Sequence, residues 1–191
     1  MKTVILSIIL GLMMTMELFG QIGIGASGGV HYPGISESEL YKIRFRAGPG
    51  YGFFVRHDLF TLSDRYAFHA RYKVKFFFND TSLPNSGSSR YKFNEFAADV
   101  WMDLFSIEKI NVYTGISLNL LNVTGRQKYR NDYTGTHILP LFVTGLEYKL
   151  TESYNLFSEL FLQIAEIDAG PEPLPINGLG LMLGFTMFIS E

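Results

Sequence analysis

Residues 66–78 read YAFHARYKVKFFF, and the pattern is strict alternation. Tyr66, Phe68, Ala70, Tyr72, Val74, Phe76 and Phe78 are apolar or aromatic, whereas Arg65, His69, Arg71, Lys73 and Lys75 share the other parity and are basic. A period of two places successive side chains on opposite faces of a strand, and no helix sorts these residues onto two clean faces. The stretch predicts a strand about twice the ordinary length, greasy on one face and charged on the other.

The same pattern recurs along the chain. In residues 21–32, Ile22, Ile24, Ala26, Val30 and Tyr32 oppose Gly23, Gly25, Ser27, Gly29 and His31. In residues 41–56, Ile43, Phe45, Ala47, Tyr51, Phe53 and Val55 oppose Lys42, Arg44, Arg46, the glycines at 48, 50 and 52, and Arg56. Pro49 cannot donate to a ladder, so it predicts a bulge or kink. Further strands are expected near 96–104, 110–120, 138–150, 156–164 and 177–189, which makes eight. A turn over 58–64, a polar loop over 79–89, a turn over 106–109, a polar linker over 123–136 and a turn over 151–153 separate them. Residues 166–175 hold three prolines and are expected to be irregular.

After the second strand, long and short connections alternate along the chain. With an even strand count and segments of roughly ten residues or more, this points to an all-β, eight-stranded, antiparallel up-and-down transmembrane barrel. Closure leaves no unpaired edge in lipid. A soluble lipocalin-like ligand carrier alternates too, so parity alone does not say which face points outward. The glycines favour lipid outside, because the face opposite the greasy one is small at both chain ends and an eight-stranded interior is narrow. The charged residues then turn inward. If the strands over 66–78 and 96–104 pair, Arg71, Lys73 and Lys75 can meet Glu95, Asp99 and Asp103. Together with Arg44, Arg46, His69, Glu147 and Glu159 they form the expected interior charge cluster, costly to bury but mutually compensating.

Composition adds compartment and size. The 191 residues have room for one domain and contain no cysteine, hence no lipobox and no disulfide framework. The apolar run 4–16 is too short to cross a bilayer as a helix, follows Lys2 and precedes Gly20. It reads as a secretory signal peptide over residues 1–20, leaving 21–191 as the barrel domain. A net charge of −2 gives no case for nucleic acid.

Residues 94–122 and 137–159 carry a resemblance. An aromatic residue, a glycine, Glu-Tyr and a leucine (Phe142, Gly145, Glu147, Tyr148, Leu150) lead through a short polar turn to Leu-x-x-Glu-Leu (Leu156, Glu159, Leu160), and a glycine-spaced strand ends the chain. In these features the chain resembles the PorT-like and OmpA-like outer-membrane β-barrel families. The resemblance implies a cell outer-membrane protein of a Gram-negative envelope, non-enzymatic, with a structural, adhesion or accessory role in a secretion or surface-protein assembly.

Candidate chemistry is sparse. The charge cluster could line a proton or ion path, but in a lumen filled by side chains a locking role is expected. His69 among cations is read as a packing residue. His31, His57 and His137 show no metal-ligand spacing, so no metal or other cofactor is expected. A lipid A-modifying enzyme would need a serine and histidine together, for which Ser36 with His31 is a loose candidate without a nucleophile elbow. The linker with Arg126, Lys128, Tyr129, Arg130 and Tyr133 suits anionic lipopolysaccharide or another envelope protein, so the expected partners are outer-membrane lipid, lipopolysaccharide and envelope proteins.

Overall fold

The alternating stretches become strands, and most of them run well past the residues that mark them. The computed structural model describes residues 21–37, 42–62, 66–83, 87–126, 133–168 and 173–189, so the expected leader lies outside the described residues. Ten strands follow one another: β1 (Ile22–Tyr32), β2 (Ile35–Glu37), β3 (Lys42–Phe45), β4 (Gly48–Leu62), β5 (Tyr66–Leu83), β6 (Gly87–Ile107), β7 (Ile110–Arg126), β8 (Tyr133–Lys149), β9 (Tyr154–Asp168) and β10 (Pro173–Ile189). Eight of them, all but β2 and β3, pair antiparallel in the circular order β1-β4-β5-β6-β7-β8-β9-β10, and β1 pairs with β10 to close the barrel. The short β2–β3 hairpin joins the far end of β5 through Arg44–Ser82 and Phe45–Thr81.

Five sequence expectations change. The turn expected over 58–64 is strand as far as Leu62, and the loop expected over 79–89 is a continuing β5–β6 ladder down to Leu83–Gly87. The linker over 123–136 likewise shortens, because β7 and β8 pair out to Gly125–Tyr133. Residues 166–175, expected to be irregular, include paired strand: Pro173 and Pro175 lie in β10 opposite Asp168 and Glu166. There β10 has run beyond its β1 partner, whose register stops at Tyr32–Leu179, and proline is tolerated where one edge needs no donor. Pro49 makes no bulge; it pairs in register with Val30, and the chain breaks earlier, at Arg46–Ala47 between β3 and β4. Observed register shifts fall instead at Asp58–Phe60 and Asp103–Phe105.

Outside, apolar side chains form a continuous belt. On β6 it runs from Ile107 up to Phe96 and on β7 from Ile110 up to Leu120. The row above is polar, with Asn94, Asn122 and Thr136 side by side in register and Asn122 Nδ2 donating to Thr136 Oγ1 at 3.1 Å. Tyr66, Tyr148 and Tyr154 are exposed at the end with the short turns. A belt of this height, edged by tyrosines, matches the lipid-facing surface of a membrane barrel.

Inside, glycine and aromatic residues sit opposite one another. Gly25 faces Phe54, Gly50 faces Phe77, Gly115 faces Trp101, Gly125 faces Tyr91, Gly145 faces Tyr113, Gly180 faces Phe161 and Gly184 faces Phe157, each pair directly in register across two strands. A Cβ at Gly180 would collide with the Phe161 ring, and one at Gly184 would lie 2.5 Å from the Phe157 ring. Each glycine is therefore the seat of a ring on the neighbouring strand, which is how a narrow lumen accommodates large side chains.

Ile116, 62% exposed in mid-belt, tests the outward face. Ile116→Arg should destabilise the barrel in phospholipid vesicles by about 2–4 kcal/mol, and Asn122→Arg, at the belt edge, by about 0–1 kcal/mol; urea unfolding midpoints measure both. Gly180→Ala should cost about 1–3 kcal/mol by overpacking, with part recovered on adding Phe161→Leu. Equal stability of the single and double variants would rule out the ring-seat explanation.

Candidate functional site

The lumen holds two storeys of side chains, because the inward parity of each strand changes chemistry along its length. Towards the short-turn end it is ionic. β5 contributes His69, Arg71, Lys73 and Lys75, and β6 contributes Glu95, Asp99 and Asp103, all buried. In register, Arg71 stands opposite Asp99 and Lys75 opposite Glu95. Arg71 Nε donates to Asp99 Oδ2 at 2.8 Å, and its Nη2 bonds both Asp99 and Glu159, which reaches in from β9. Lys73 Nζ lies 2.7 Å from Asp99 Oδ2 and 3.0 Å from Glu159 Oε1, while Tyr113 OH donates to Glu159 Oε2 at 3.2 Å. Arg71 and Lys73 thus each touch two carboxylates, the arrangement that compensates desolvation.

Nearer the short turns, Arg56 of β4 ion-pairs with Glu147 of β8 and donates from Nε to Asp58 at 2.9 Å. His69 sits between Asp58 at 2.7 Å and Asp103 at 3.3 Å. Asn155 Nδ2 donates to Glu147 Oε1 at 3.0 Å. Trp101 is stacked on His69, with the guanidinium groups of Arg56 and Arg71 5.3 and 5.0 Å from its ring centre. Such contacts add electrostatic stabilisation to both cations in a water-poor site.

The far storey is apolar. Phe77, Tyr91, Phe93, Leu121, Val123 and Phe161 are almost fully buried there, beside Leu139, Leu141, Val143 and Met182. His31 is buried among Phe77, Phe93 and Phe161, with its Nε2 3.0 Å from Gln163 Oε1. Phe45, from β3, caps the assembly against Tyr91 and Phe93. Asn79 Nδ2 ties the mouth by donating to the carbonyls of His31 (2.8 Å) and Arg46 (3.0 Å). Among Phe54, Arg56, Arg71, Trp101, Glu147 and Phe157, the remaining enclosed space is about 10 Å³, room for roughly one water. Around these residues the lumen leaves no room for a lipocalin-type ligand.

Of the residues expected in the charge cluster, His69, Arg71, Lys73, Lys75, Glu95, Asp99, Asp103, Glu147 and Glu159 are brought together inside. Arg46 is not. It is exposed at the break between β3 and β4, where the chain leaves the wall and its N–H bonds to Asp80 O. The Arg44 side chain lies outside the described residues. Sequence reasoning missed Arg56 and Asp58 as members because it ended that strand at 56, although the alternation Phe54, Arg56, Asp58 carries on inward. It also missed the apolar storey, whose signal is the loss of alternation in runs such as Phe76-Phe77-Phe78 and 139–143. The loose pair Ser36 and His31 does not make a rim site, since the His31 ring is held inside by Gln163. Residues 127–132 of the cationic linker lie outside the described residues.

No family model matches the sequence, and no curated protein does. Solved structures do match. The chain is similar to Neisserial surface protein A, with TM-score 0.61 and 15% identity over 87% of this chain and 96% of that one. Another similar structure is the outer membrane protein OprG from Pseudomonas aeruginosa, with TM-score 0.62 and 9% identity over 91% and 97% of the two chains. A third is Ail, the attachment invasion locus protein of Yersinia pestis, with TM-score 0.56 and 8% identity over 90% of this chain and all of that one. At these identities the likeness is one of fold: a closed, eight-stranded, outer-membrane type of β-barrel.

The opposed pair Lys75 and Glu95 tests the ionic storey. Glu95→Leu alone should cost about 3–5 kcal/mol by stranding a buried ammonium group, whereas adding Lys75→Met should return stability to the parent level or above. Fluorescence of Trp101, the single tryptophan, during urea unfolding reports both.

Proposed function

We propose that this protein is a non-enzymatic barrel of the Gram-negative outer membrane that serves as a rigid, non-conducting mount for cell-surface hairpins, in an adhesion or accessory role. The observation that carries this reading is a lumen packed with side chains, among the described residues, beneath strands that continue past the lipid-facing belt. The segment of β6 above the belt, from Gly87 to Glu95, extends about 20 Å along the barrel axis at ordinary strand rise and tilt. With short turns facing the periplasm, as in other barrels of this kind, these projections face outward. The buried ion pairs act as a lock on the wall rather than as a conduction path, since each cation is held by carboxylates and the apolar storey lies above them.

Several supports converge on the surface role. The similar folds include Neisserial surface protein A and Ail, the attachment invasion locus protein of Yersinia pestis. The resemblance to PorT-like families adds work beside other envelope proteins in a secretion or surface-protein assembly. Export by the leader over residues 1–20 is part of the same proposal, as is contact with outer-leaflet lipid and lipopolysaccharide.

Purified full-length protein in planar bilayers should give no steady unit conductance, and a reproducible open channel would overturn the sealed mount. A photo-crosslinker at Arg90, above the belt, should capture envelope or surface partners on intact cells, and one at Glu152, in the turn between β8 and β9, should not. Adducts formed only from Glu152 would move the working surface to the periplasmic end.

A further inference from the structure

The outer wall of β5 to β8 is not uniformly flat. Successive rows cross these four strands in register: Tyr72, Ala98, Leu118 and Pro140 in one, then Val74, Phe96, Leu120 and Ile138 above it. Ala98 is a methyl group among large neighbours, and the shortfall opens a groove of about 510 Å³. That is the size of a small-molecule site, yet it is open to the side and walled by apolar groups.

Directly above the groove the chemistry changes in order. The next row sets Phe76 beside the amides Asn94 and Asn122 and then Thr136. The row after that places Lys92 between Phe78 and Thr124, with Lys92 Nζ 5.9 Å from the Phe78 ring centre. One row higher is Arg90, 75% exposed at its side chain and 3.1 Å from Asp80. A row is two residues, about 7 Å along a strand, hence about 5 Å of height at the tilt of a membrane barrel. The headgroup layer on one side of a bilayer is roughly 5–8 Å deep. Lys92 therefore stands at phosphate height when Asn94 marks the edge of the hydrocarbon. Among the side chains whose exposure is described, the other exposed cations this high on the molecule are Arg90 on the same strand and Arg46 at the β3–β4 break.

We infer that the β5–β8 wall is a binding site for the phosphorylated, multiply acylated glycolipid of the outer leaflet, with acyl chain in the Ala98 groove and phosphate on Lys92 and Arg90. This inference deepens the proposed surface role and rests on its outward orientation of the hairpins. Groove and cations must act on one molecule for the site to select. The apolar groove accepts any acyl chain, and the cations supply charge-assisted contacts that an uncharged headgroup lacks.

The test uses the full chain purified in mild detergent and reconstituted with diphosphoryl lipid A or its dephosphorylated form, with bound lipid counted by mass spectrometry. The parent barrel should retain diphosphoryl lipid A through purification and bind it about tenfold more tightly than the dephosphorylated form, as one charge-assisted contact allows. Ala98→Phe should abolish retention of both forms. Lys92→Gln should remove the preference for phosphate while leaving weak retention, and Leu183→Phe, on the opposite wall, should change neither. A heat-modifiable band on unboiled gels confirms that each variant folds; should Ala98→Phe fail to fold, the Lys92→Gln comparison still decides. Unchanged retention in Ala98→Phe and Lys92→Gln would overturn the site. So would a parent barrel that runs as a dimer which Ala98→Phe splits, for the groove would then hold a second copy. Lys92→Cys, the only cysteine in such a chain, separates this failure from failure of the orientation. Labelling by an impermeant maleimide on intact cells keeps the outward reading, and labelling only after the outer membrane is ruptured overturns both.

Discussion

The constraint behind the whole structure is the width of an eight-stranded lumen. Closure satisfies every wall strand's backbone on both sides through most of its length, which a sheet in lipid requires, but it leaves an interior that side chains fill. Water is largely excluded, so every charge that turns inward needs an opposite charge within reach. Arg71 and Lys73 meet this by sharing Asp99 and Glu159, and Arg56 by taking both Glu147 and Asp58. Large rings such as Phe54 and Phe161 fit the same space because a glycine faces them in register, Gly25 for the first and Gly180 for the second. The charges and the glycines are two answers to one shortage of room.

Stacking an ionic storey under an apolar one has a mechanical consequence. The ion pairs join β4, β5, β6, β8 and β9 across the lumen, so they brace the wall at points far apart around its circumference. Phe45 and Asn79 then fasten the β2–β3 hairpin over the apolar storey. A barrel braced in this way is suited to holding hairpins at a fixed height and is poorly suited to opening a pore. Its activity is consequently sought on the outer surface, where strands leave the belt.

That surface is organised by height. Apolar rows give way to amides and then to Lys92 and Arg90 over three successive rows of β6. The order matches the profile of a bilayer leaflet from hydrocarbon to headgroup. A single small residue, Ala98, turns part of this profile from a smooth wall into a groove. The same ladder that sets the depth of the barrel in lipid thus also places a cation above an apolar recess.

The sequence by itself determined the strand type, the closure and the inward face, because a period of two over long segments admits no other regular structure and the glycine-rich parity suits a narrow interior. Residues such as Arg71, Asp99 and Glu159 could be named from parity alone. Strand ends could not, since turn-forming residues at 79–89 and prolines at 173 and 175 still fit a ladder once a neighbouring strand supplies the partners. Only the tertiary structure decided which carboxylate serves which cation, as Arg71 meets Glu159 and Arg56 meets Glu147 across 88 and 91 residues of chain. The shear of the barrel sets those meetings, and shear is a property of all eight strands together. The seating of each ring on its glycine and the groove at Ala98 have the same origin, because in-register neighbours on separate strands leave no periodic trace along the chain.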